Sequence, residues 1–267
     1  AAPPAIAATA PAAAAAPPAA NDTTHTRPGE VSATVKASPP VPHLFTRGDL
    51  LFWGGAAGAT ALAVFNDRWL TNEAITAENN PDQRHLAQAF QPLGNTAIVL
   101  PVAFGLYGVA RLIHHPKLAR RAVRTALAVT VSGGLALGAK EVFGRARPYE
   151  RPGQSDYFKP FSHHDSFPSG HATTAFAAAV ALDRETSSRW VPWLVYPAAT
   201  LVGWSRVHDR KHWTSDVVAG AALGGWTAWK TEDFLAYRAL GVPVQRTSLW
   251  LSPERGGVRV AVVRGLN

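Results

Sequence analysis

The 267-residue chain contains no cysteine and no methionine. Without cysteine it cannot form disulfide bonds, use a thiolate as a nucleophile or bind zinc through thiolates. Because methionine is absent even from position 1, we expect that an export signal has been removed from this chain. The sequence therefore predicts a periplasmic or otherwise exported protein.

Acidic residues are fewer than basic ones, with 18 Asp and Glu against 26 Lys and Arg, and the net charge is +8. Such an excess suits an anionic substrate or an anionic membrane surface. The basic residues are scattered, they do not alternate with aromatic residues, and no nucleic-acid recognition motif is present. These features argue against nucleic acid as a partner.

Bulky apolar residues are nearly absent from the first 44 positions, which are rich in alanine and proline. A segment of this composition buries too little apolar surface to offset the entropy that it would lose on ordering. We therefore predict a disordered Ala/Pro-rich tether over residues 1–44, a helical domain over residues 45–240 and a C-terminal extension over residues 241–267.

Apolar residues recur with helical spacing from Leu50 to about Leu235, and this pattern predicts an all-α bundle of about six to seven helices. One of these helices, over about Asn80–Phe90, is more polar than the others, and the first break is expected at Asn66-Asp67. The apolar helices are expected at Leu50–Phe65, Ala97–Ile113, Val123–Lys140, His171–Leu182, Val191–Val207 and Trp213–Trp229. In the C-terminal extension, the β-branched segments Thr247–Leu251 and Val258–Val263 predict a small β-hairpin.

Long apolar runs are also scarce. A membrane-spanning helix needs roughly 20 apolar residues, whereas most uncharged runs in this chain are shorter, and the mean hydropathy is −0.02. The sequence therefore favours a soluble or membrane-associated periplasmic protein. The alternative is an integral inner-membrane protein in which Leu50–Phe65 and Ala97–Ile113 cross a locally thinned bilayer.

His212 and Asp216 are four residues apart, which places them on one face of a helix. In that position the Asp216 carboxylate can accept the Nδ1 proton of His212 and leave Nε2 free to act as a nucleophile. Asp209 is a candidate N-cap for this helix, with His212 in its first turn. Taken alone, such a pair is usually an ordinary surface pair, so its interpretation depends on two further motifs.

Three basic residues, Lys140, Arg147 and Arg206, are candidates for binding an anionic group. The planar guanidinium of Arg206, six residues before His212, suits two phosphate oxygens at once. Lys140 and Arg147 flank Gly144, where the chain can turn so that both cations point inward. Arg145 lies between them and is expected in solvent, or at most in a supporting role.

The segment Pro168-Ser169-Gly170-His171 predicts the start of a helix. Ser169 is a good N-cap, and Gly170 permits close approach of the backbone N–H groups to an oxyanion. Beside that anion, His171 is well placed to protonate a leaving-group oxygen as a general acid. A capped helix alone would account for the serine and the glycine but not for the histidine.

In order and spacing, the three motifs resemble those of the type 2 phosphatidic acid phosphatase (PAP2) superfamily, whose other branch is the vanadium haloperoxidases. The motifs match without a substitution, and the resemblance covers roughly residues 95–230. They are Lys140-(six residues)-Arg147-Pro148, Pro168-Ser169-Gly170-His171 and Ser205-Arg206-(five residues)-His212-(three residues)-Asp216.

The resemblance implies a PAP2-type helical bundle of the phosphatase branch and a metal-independent phosphatase. In this implied reaction His212 attacks phosphorus to form a phosphohistidine, Asp216 orients His212, and His171 protonates the departing alcohol. No metal or other cofactor is expected, and vanadate is expected to inhibit. The residues implied to hold the substrate phosphate are Lys140, Arg147, Ser169, Gly170 and Arg206.

Three functions remain open at this point. The first is a phosphatase, since soluble members of the superfamily are broad acid phosphatases and membrane members act on phosphatidate, phosphatidylglycerol phosphate or undecaprenyl pyrophosphate. The second is a vanadium-dependent haloperoxidase that holds vanadate in the same site, although this bundle is short for that branch. The third is a non-catalytic phosphate-binding domain, which would have no use for both His171 and His212.

A histidine-rich loop segment and a set of three tryptophans could be functional, but each has a simpler structural explanation. The segment His163-His164-Asp165 contains metal-ligand residue types, but adjacent loop histidines do not easily converge on one ion, so we expect solvation or a place at the pocket rim. Trp204, Trp213 and Trp226 could line a lipid-facing groove, but their helical spacing is more typical of a core.

Overall fold

The computed structural model describes residues 43, 45–77, 80–239, 246–254 and 257–265. Apart from residue 43, the predicted disordered tether lies outside the described residues. The helices are α1 Arg47–Ala77, α2 Pro81–Phe90, the short 3₁₀ helix Gln91–Gly94, α3 Thr96–Leu112, α4 Pro116–Phe143, α5 Gly170–Arg184, α6 Val191–His208 and α7 Thr214–Ala239. This confirms the predicted all-α bundle of six to seven helices.

Helix α1 is almost twice as long as predicted, because the expected break at Asn66-Asp67 does not occur. The Nδ2 of Asn66 donates to the Leu62 carbonyl at 2.8 Å, so the polar side chain follows the helix. Asp67 is fully buried and has partners elsewhere in the protein. With no glycine or proline at this point, a polar dipeptide with satisfied partners does not end a helix.

Helix α4 begins seven residues before the predicted start. Pro116 occupies its first turn, and the Nδ1 of His115 accepts a hydrogen bond from the Leu118 N–H at 3.2 Å. The helix ends at Gly144, whose φ of +55° is left-handed. A β-carbon on Gly144 would collide with the Lys159 carbonyl oxygen, so only glycine can make the predicted turn between Lys140 and Arg147.

Helix α5 lies at the centre of the bundle and packs against α4, α6 and α7. The contact with α7 is close: a β-carbon on Gly220 would lie 2.5 Å from the Ser169 carbonyl oxygen, and one on Gly224 would strike the Thr173 backbone. The core beside this contact is built from small and β-branched residues, among them Ala177 and Val180 of α5. Small side chains let the helix that carries Ser169 and His171 approach α7 at backbone distance.

Helix α1 is attached to α7 at two points, one near its start and one in its second half. Near its start, Asp49 accepts hydrogen bonds from Lys230 at 2.6 Å and from Trp226 at 2.8 Å. Eighteen residues later, Asp67 accepts from the Ser215 N–H at 2.9 Å. These contacts fix the position of α1 along its axis relative to α7.

Within the described residues, two helices are long and apolar enough to cross a membrane, over Arg47–Glu73 and Pro116–Phe143. A third crossing is possible if α2 and the 3₁₀ helix form one span with α3, although the two parts are bent by 57°. The prediction that the apolar runs are too short is therefore wrong for α1 and α4. Their large side chains also point outward, as in Phe65 (85 % exposed) and Leu137 (66 % exposed).

The C-terminal extension contains two strands, β1 Arg246–Glu254 and β2 Gly257–Gly265, which pair antiparallel. The register runs from Arg246 opposite Gly265 to Glu254 opposite Gly257. The strands are therefore longer than the predicted segments, and the connection between them is shorter.

Candidate active site

The three predicted motifs meet at one end of the bundle, where α4 and α6 end and α5 and α7 begin. Lys140 lies in the last turn of α4 and Arg206 in the last turn of α6. His171 is the second residue of α5, and Asp216 lies in the first turn of α7. Arg147 comes from the loop between α4 and α5. Four helix ends and one loop, from three stretches of the chain, therefore supply one site.

The ring of His212 is buried, with 3 % of the residue exposed. Its Nδ1 lies 2.8 Å from the Ser166 carbonyl oxygen and 3.7 Å from Asp216 Oδ2. A carbonyl oxygen can only accept, so Nδ1 donates to Ser166 and Nε2 is left without a proton. The sequence predicted Asp216 as the acceptor; the structure assigns that role to a main-chain carbonyl, and Asp216 acts on the ring through its charge.

The local structure around His212 also differs from the prediction. Helix α7 begins at Thr214, so His212 lies in the loop before it and not in its first turn. Asp209 is not the N-cap of this helix: it follows α6 as its C-cap and lies 3.4 Å from Arg206 Nη1. The i, i+4 spacing thus joins a loop residue to a first-turn residue.

The Asp216 carboxylate is held from several sides although it is fully buried. Its Oδ2 accepts from the Ser166 hydroxyl at 2.5 Å and from the Trp213 N–H at 2.8 Å. Its backbone carbonyl accepts from the Ser169 N–H at 2.9 Å, which connects the start of α7 to the start of α5. The position of His212 relative to the PSGH segment is therefore fixed through Asp216.

Lys140 and Arg147 converge on one carboxylate, that of Asp165. Arg147 donates to it through Nε and Nη2, both at 2.8 Å. Lys140 Nζ lies 4.0 Å from Asp165 Oδ2 and donates to the backbone carbonyl of the same residue. The sequence left Asp165 at the pocket rim or in solvent; it is 48 % exposed and is bound to two of the predicted phosphate ligands.

Ser169 is the N-cap of α5, as predicted, and its Oγ accepts from the Ala172 N–H at 3.4 Å. Gly170 follows with its α-carbon facing Lys140: a β-carbon there would lie 3.8 Å from Lys140 Cε. The positive end of the α5 dipole therefore adds to the charge of Lys140 at this point.

Two donors of the site are buried and unpaired. Among the described residues neither His171 Nε2 nor Arg206 Nε has a hydrogen-bond partner. Buried polar atoms are normally satisfied, and a guanidinium nitrogen without a partner is costly. An anion with oxygen atoms within reach of both donors would satisfy them.

The pKa of His171 is lowered to about 4, first by burial and then by the charge of Arg206, with smaller effects from His212, Arg147 and Lys140. Four cationic or ionisable groups from the other segments therefore act on this ring. His171 is therefore neutral at pH 7 unless an anion joins it.

Burial also lowers the pKa of His212, and this effect outweighs the opposing charge of Asp216. The pKa of Asp216 is lowered too: burial alone would raise it, but hydrogen bonds and the charge of Arg145 keep the carboxylate ionised. The pair is thus a neutral imidazole beside a carboxylate, which is the state that a nitrogen nucleophile requires.

Arg145 was expected in solvent, and this prediction is wrong. The residue has 0 % exposure, and its Nη1 donates to Asp216 Oδ1 at 2.6 Å. Its Nη2 donates to Asp67 Oδ2 at 2.8 Å. Local pattern could not reveal this, because the partners are 71 and 78 residues away in sequence.

The remaining candidates have structural contacts. His164 Nδ1 lies 2.9 Å from Glu150, and the described residues contain no cluster of three or more His, Asp or Glu side chains arranged to hold a metal ion. Trp213 is fully buried and donates to the Ala146 carbonyl at 2.9 Å, so it belongs to the core as predicted. Trp226 packs against Trp53, and Trp204 against His208.

Comparison with known proteins agrees with this geometry. The chain is 38% identical over 104 residues to a lipid A 1-phosphatase of Porphyromonas gingivalis, a match that covers 38% of this chain and 21% of the relative. It is 32% identical over 194 residues to a lipid A 1-phosphatase of Rhizobium johnstonii, covering 66% of this chain and 78% of the relative. The chain thus spans about a fifth of the first protein and most of the second.

The fold is shared with a transmembrane PAP2-type phosphatidylglycerolphosphate phosphatase from Bacillus subtilis. That structure has a TM-score of 0.52 and 22% sequence identity, and the match covers 72% of this chain and 93% of the other. The family model of the PAP2 superfamily matches residues 121–239, which include all three motifs. Motifs, fold and relatives agree, and the chain belongs to the PAP2 superfamily.

Proposed function

We propose that this protein is a membrane-embedded phosphatase that hydrolyses the phosphate ester or diphosphate of a lipid. The observation that carries the proposal is the site itself, in which Lys140, Arg147 and Arg206 lie around the buried ring of His212 and the half-buried ring of His171. The unpaired donors of His171 and Arg206 call for an anion with several oxygen atoms. A phosphoryl group has this shape and charge.

In the proposed reaction the Nε2 of His212 attacks phosphorus as the P–O bond to the lipid breaks. His171 gives its proton to the departing oxygen, and the product leaves as an alcohol or as a lipid monophosphate. Water then attacks the phosphohistidine, His171 takes a proton from it, and His212 is released together with inorganic phosphate. The developing charge would be stabilised by Lys140, Arg147, Arg206, Ser169 and the Gly170 N–H.

A lipid substrate is favoured by an apolar cavity of about 510 Å³ between α3, α4, α5 and α6. Val202 lines this cavity and also packs against Gly94, which in turn lies against the backbone of His171. One end of the cavity is therefore next to the proposed general acid. Lining side chains such as Leu93, Val102 and Leu182 suit a hydrocarbon chain.

Membrane insertion is favoured by the length and outward apolar surface of α1 and α4. We therefore prefer an integral membrane protein, which the sequence left as the alternative, over a soluble one. That the site faces the periplasm remains a prediction. Independence of the activity from metal ions is also a prediction, and we expect it because Lys140, Arg147 and Arg206 already supply positive charge for the phosphate. Carbonate extraction of membranes should leave the protein in the pellet; release into the supernatant would contradict insertion.

The activity is tested by phosphate release from the purified protein in detergent with EDTA. The substrates are an aryl phosphate, phosphatidate, lipid A and undecaprenyl diphosphate, and His212→Ala is the blank. We expect release from at least one lipid and none from the blank. Saturable phosphate binding without release would indicate a binding domain, and bromide-dependent peroxidase activity with vanadate in place of phosphate release would indicate the haloperoxidase branch.

The intermediate is tested separately by rapid quenching in alkaline detergent with ³²P-labelled substrate. A phosphohistidine is expected to survive base and to be lost in acid over time, and the label should be missing from His212→Ala. Label retained in His212→Ala would exclude this residue as the nucleophile.

A further inference from the structure

Arg145 is a buried arginine, and all of its N–H donors are used. Its Nε donates to the Ser155 carbonyl at 2.9 Å, and its two terminal nitrogens bind Asp67, Ser215 and Asp216. The guanidinium carbon lies 5.1 Å from the ring centre of Phe158 and 5.6 Å from that of Trp213. The side chain has no freedom to reorient.

Asp67 ties this arrangement to α1. Its Oδ1 accepts from the Ser215 N–H at 2.9 Å, and its Oδ2 accepts from Arg145 at 2.8 Å and from the Ser215 hydroxyl at 2.5 Å. Ser215 directly precedes Asp216. Asp67 therefore holds both the backbone beside Asp216 and the cation on the Asp216 carboxylate. An ion pair that only stabilised the fold would not need to end on this particular carboxylate.

The single positive charge of Arg145 is shared by two carboxylates, those of Asp67 and Asp216. Asp216 faces Arg145 with Oδ1 and His212 with Oδ2, at 2.6 and 3.7 Å. Because Asp67 shares Arg145, the charge of Asp216 is only partly neutralised, and the remainder is available to an imidazolium or phosphoimidazolium ring.

We propose that Asp67 and Arg145 are positioning residues for the nucleophile, which hold Asp216 in place and set how strongly its charge acts on His212. The proposal rests on the function proposed above for His212. It extends the functional unit to α1, which lies outside the 121–239 region matched by the PAP2 family.

Opposite charge changes should move the titration of His212 in opposite directions. Asp67→Asn removes a negative charge, leaves Arg145 entirely to Asp216 and should lower the pKa of His212 by about one unit. Arg145→Gln removes a positive charge and should raise it. The other groups that act on or lie near this ring stay unchanged, namely Lys140 of α4, Arg147 and Asp165 of the loop, His171 of α5 and Arg206 of α6.

The experiment measures the His212 titration by NMR of ¹⁵N-histidine-labelled protein in detergent, together with the pH profile of kcat/KM on the lipid phosphate that is turned over. The acid limb of the profile should move to lower pH in Asp67→Asn and to higher pH in Arg145→Gln. Arg145→Lys keeps the positive charge but loses the planar guanidinium that binds both carboxylates. The acid limb of its pH profile should therefore stay in place while kcat falls roughly 10- to 100-fold.

A matched control is available at the opposite end of the bundle. Glu232 is also buried and lies 3.0 Å from Arg124, so Glu232→Gln removes a comparable buried charge far from the site. It should leave the His212 titration unchanged. Equal shifts in all variants, or no shift in Asp67→Asn with native-like thermal unfolding, would overturn the proposal.

The NMR titration does not require turnover, so it separates the two proposals. Opposite shifts without phosphatase activity would retain the positioning role and reject the proposed function. If Arg145→Gln does not fold, Asp67→Asn and Arg145→Lys still decide the outcome. A wild-type protein that hydrolyses lipid phosphate while Asp67→Asn keeps both its profile and its kcat would retain the function and reject the positioning role.

Discussion

The carboxylate of Asp165 lies against the Nε and Nη2 edge of Arg147, with both oxygen–nitrogen distances at 2.8 Å. This is the geometry in which a guanidinium also binds two phosphate oxygens. Lys140 Nζ is 4.0 Å from the same carboxylate. The contact keeps the pKa of Asp165 below its usual value, although burial acts in the other direction.

We expect Asp165→Asn to bind inorganic phosphate and vanadate more tightly than the wild type, by about 5-fold, because a negative charge beside the anion is removed. The measurement is inhibition of lipid phosphate hydrolysis by each anion. Glu150→Gln is the matched control, since Glu150 accepts from the Arg147 backbone N–H at 3.1 Å and its charge acts on the guanidinium more weakly than that of Asp165. Weaker binding in Asp165→Asn would mean that its carboxylate orients Arg147.

Asp216→Asn should lose only part of the activity, whereas His212→Ala should lose all of it. The tautomer of His212 is held by the Ser166 carbonyl, so the exchange removes a charge but not the hydrogen bond that frees Nε2. A drop in kcat of roughly 10- to 100-fold corresponds to one charge-assisted interaction. Single-turnover kinetics provide the measurement. A loss as complete as that in His212→Ala would mean that the carbonyl does not fix the tautomer.

His171 should take up a proton when a tetrahedral dianion binds. Its pKa of about 4 in the free site reflects burial and nearby cations, and an anion among those cations reverses their effect. Sulfate is a suitable probe because it does not titrate between pH 5 and 7. Calorimetry in two buffers of different ionisation enthalpy should show uptake at pH 6 in the wild type and none in His171→Asn. Equal uptake in both proteins would assign the proton to another group.

The same pKa predicts how stability depends on pH in the absence of anions. The folded pKa of about 4 lies below the ordinary histidine pKa of 6.5, so the unfolded chain binds the proton more readily. The contribution of His171 to stability is therefore complete above pH 6.5 and is lost as the pH falls towards 4. In His171→Asn the decrease in thermal unfolding temperature over this range should be smaller.

Gly224→Ala should destabilise the protein by about 1–3 kcal/mol, because its β-carbon would strike the Thr173 backbone and force α5 away from α7. Gly225→Ala is the control: its β-carbon would meet its nearest neighbour, Val180 Cγ2, at 3.8 Å, an ordinary contact. The thermal unfolding temperature in detergent and kcat should both be lower in Gly224→Ala. Both should stay near the wild-type values in Gly225→Ala. Similar behaviour of the two variants would show that α5 can shift without cost.

Much of this molecule follows from local sequence. Helix α2, with its N-cap Asn80, has the predicted bounds, and the ends of α3, α5 and α6 differ by one or two residues. In these helices neighbouring residues determine the structure through capping and periodicity. The grouping of Lys140, Arg147, Arg206 and His171 is what the resemblance to the PAP2 superfamily implies, since spacing alone does not bring distant helix ends together.

What the sequence did not reveal depends on partners that are distant in the chain or on main-chain atoms. The break predicted at Asn66-Asp67 does not occur because Asp67 has a buried partner, Arg145, that is 78 residues away in the chain. The acceptor of the His212 proton is the Ser166 carbonyl, which leaves no trace in a side-chain pattern. The length of α1, and with it the case for membrane insertion, was underestimated for the same reason.

The attachment of α1 to α7 at both Asp49 and Asp67 has a consequence for a protein that sits in a lipid bilayer. A displacement of α1 by one helical turn, about 5.4 Å, would break both sets of hydrogen bonds together. The helix therefore cannot slide to match bilayers of different thickness. Hydrophobic mismatch therefore has to be taken up by tilt of the bundle or by deformation of the surrounding lipid.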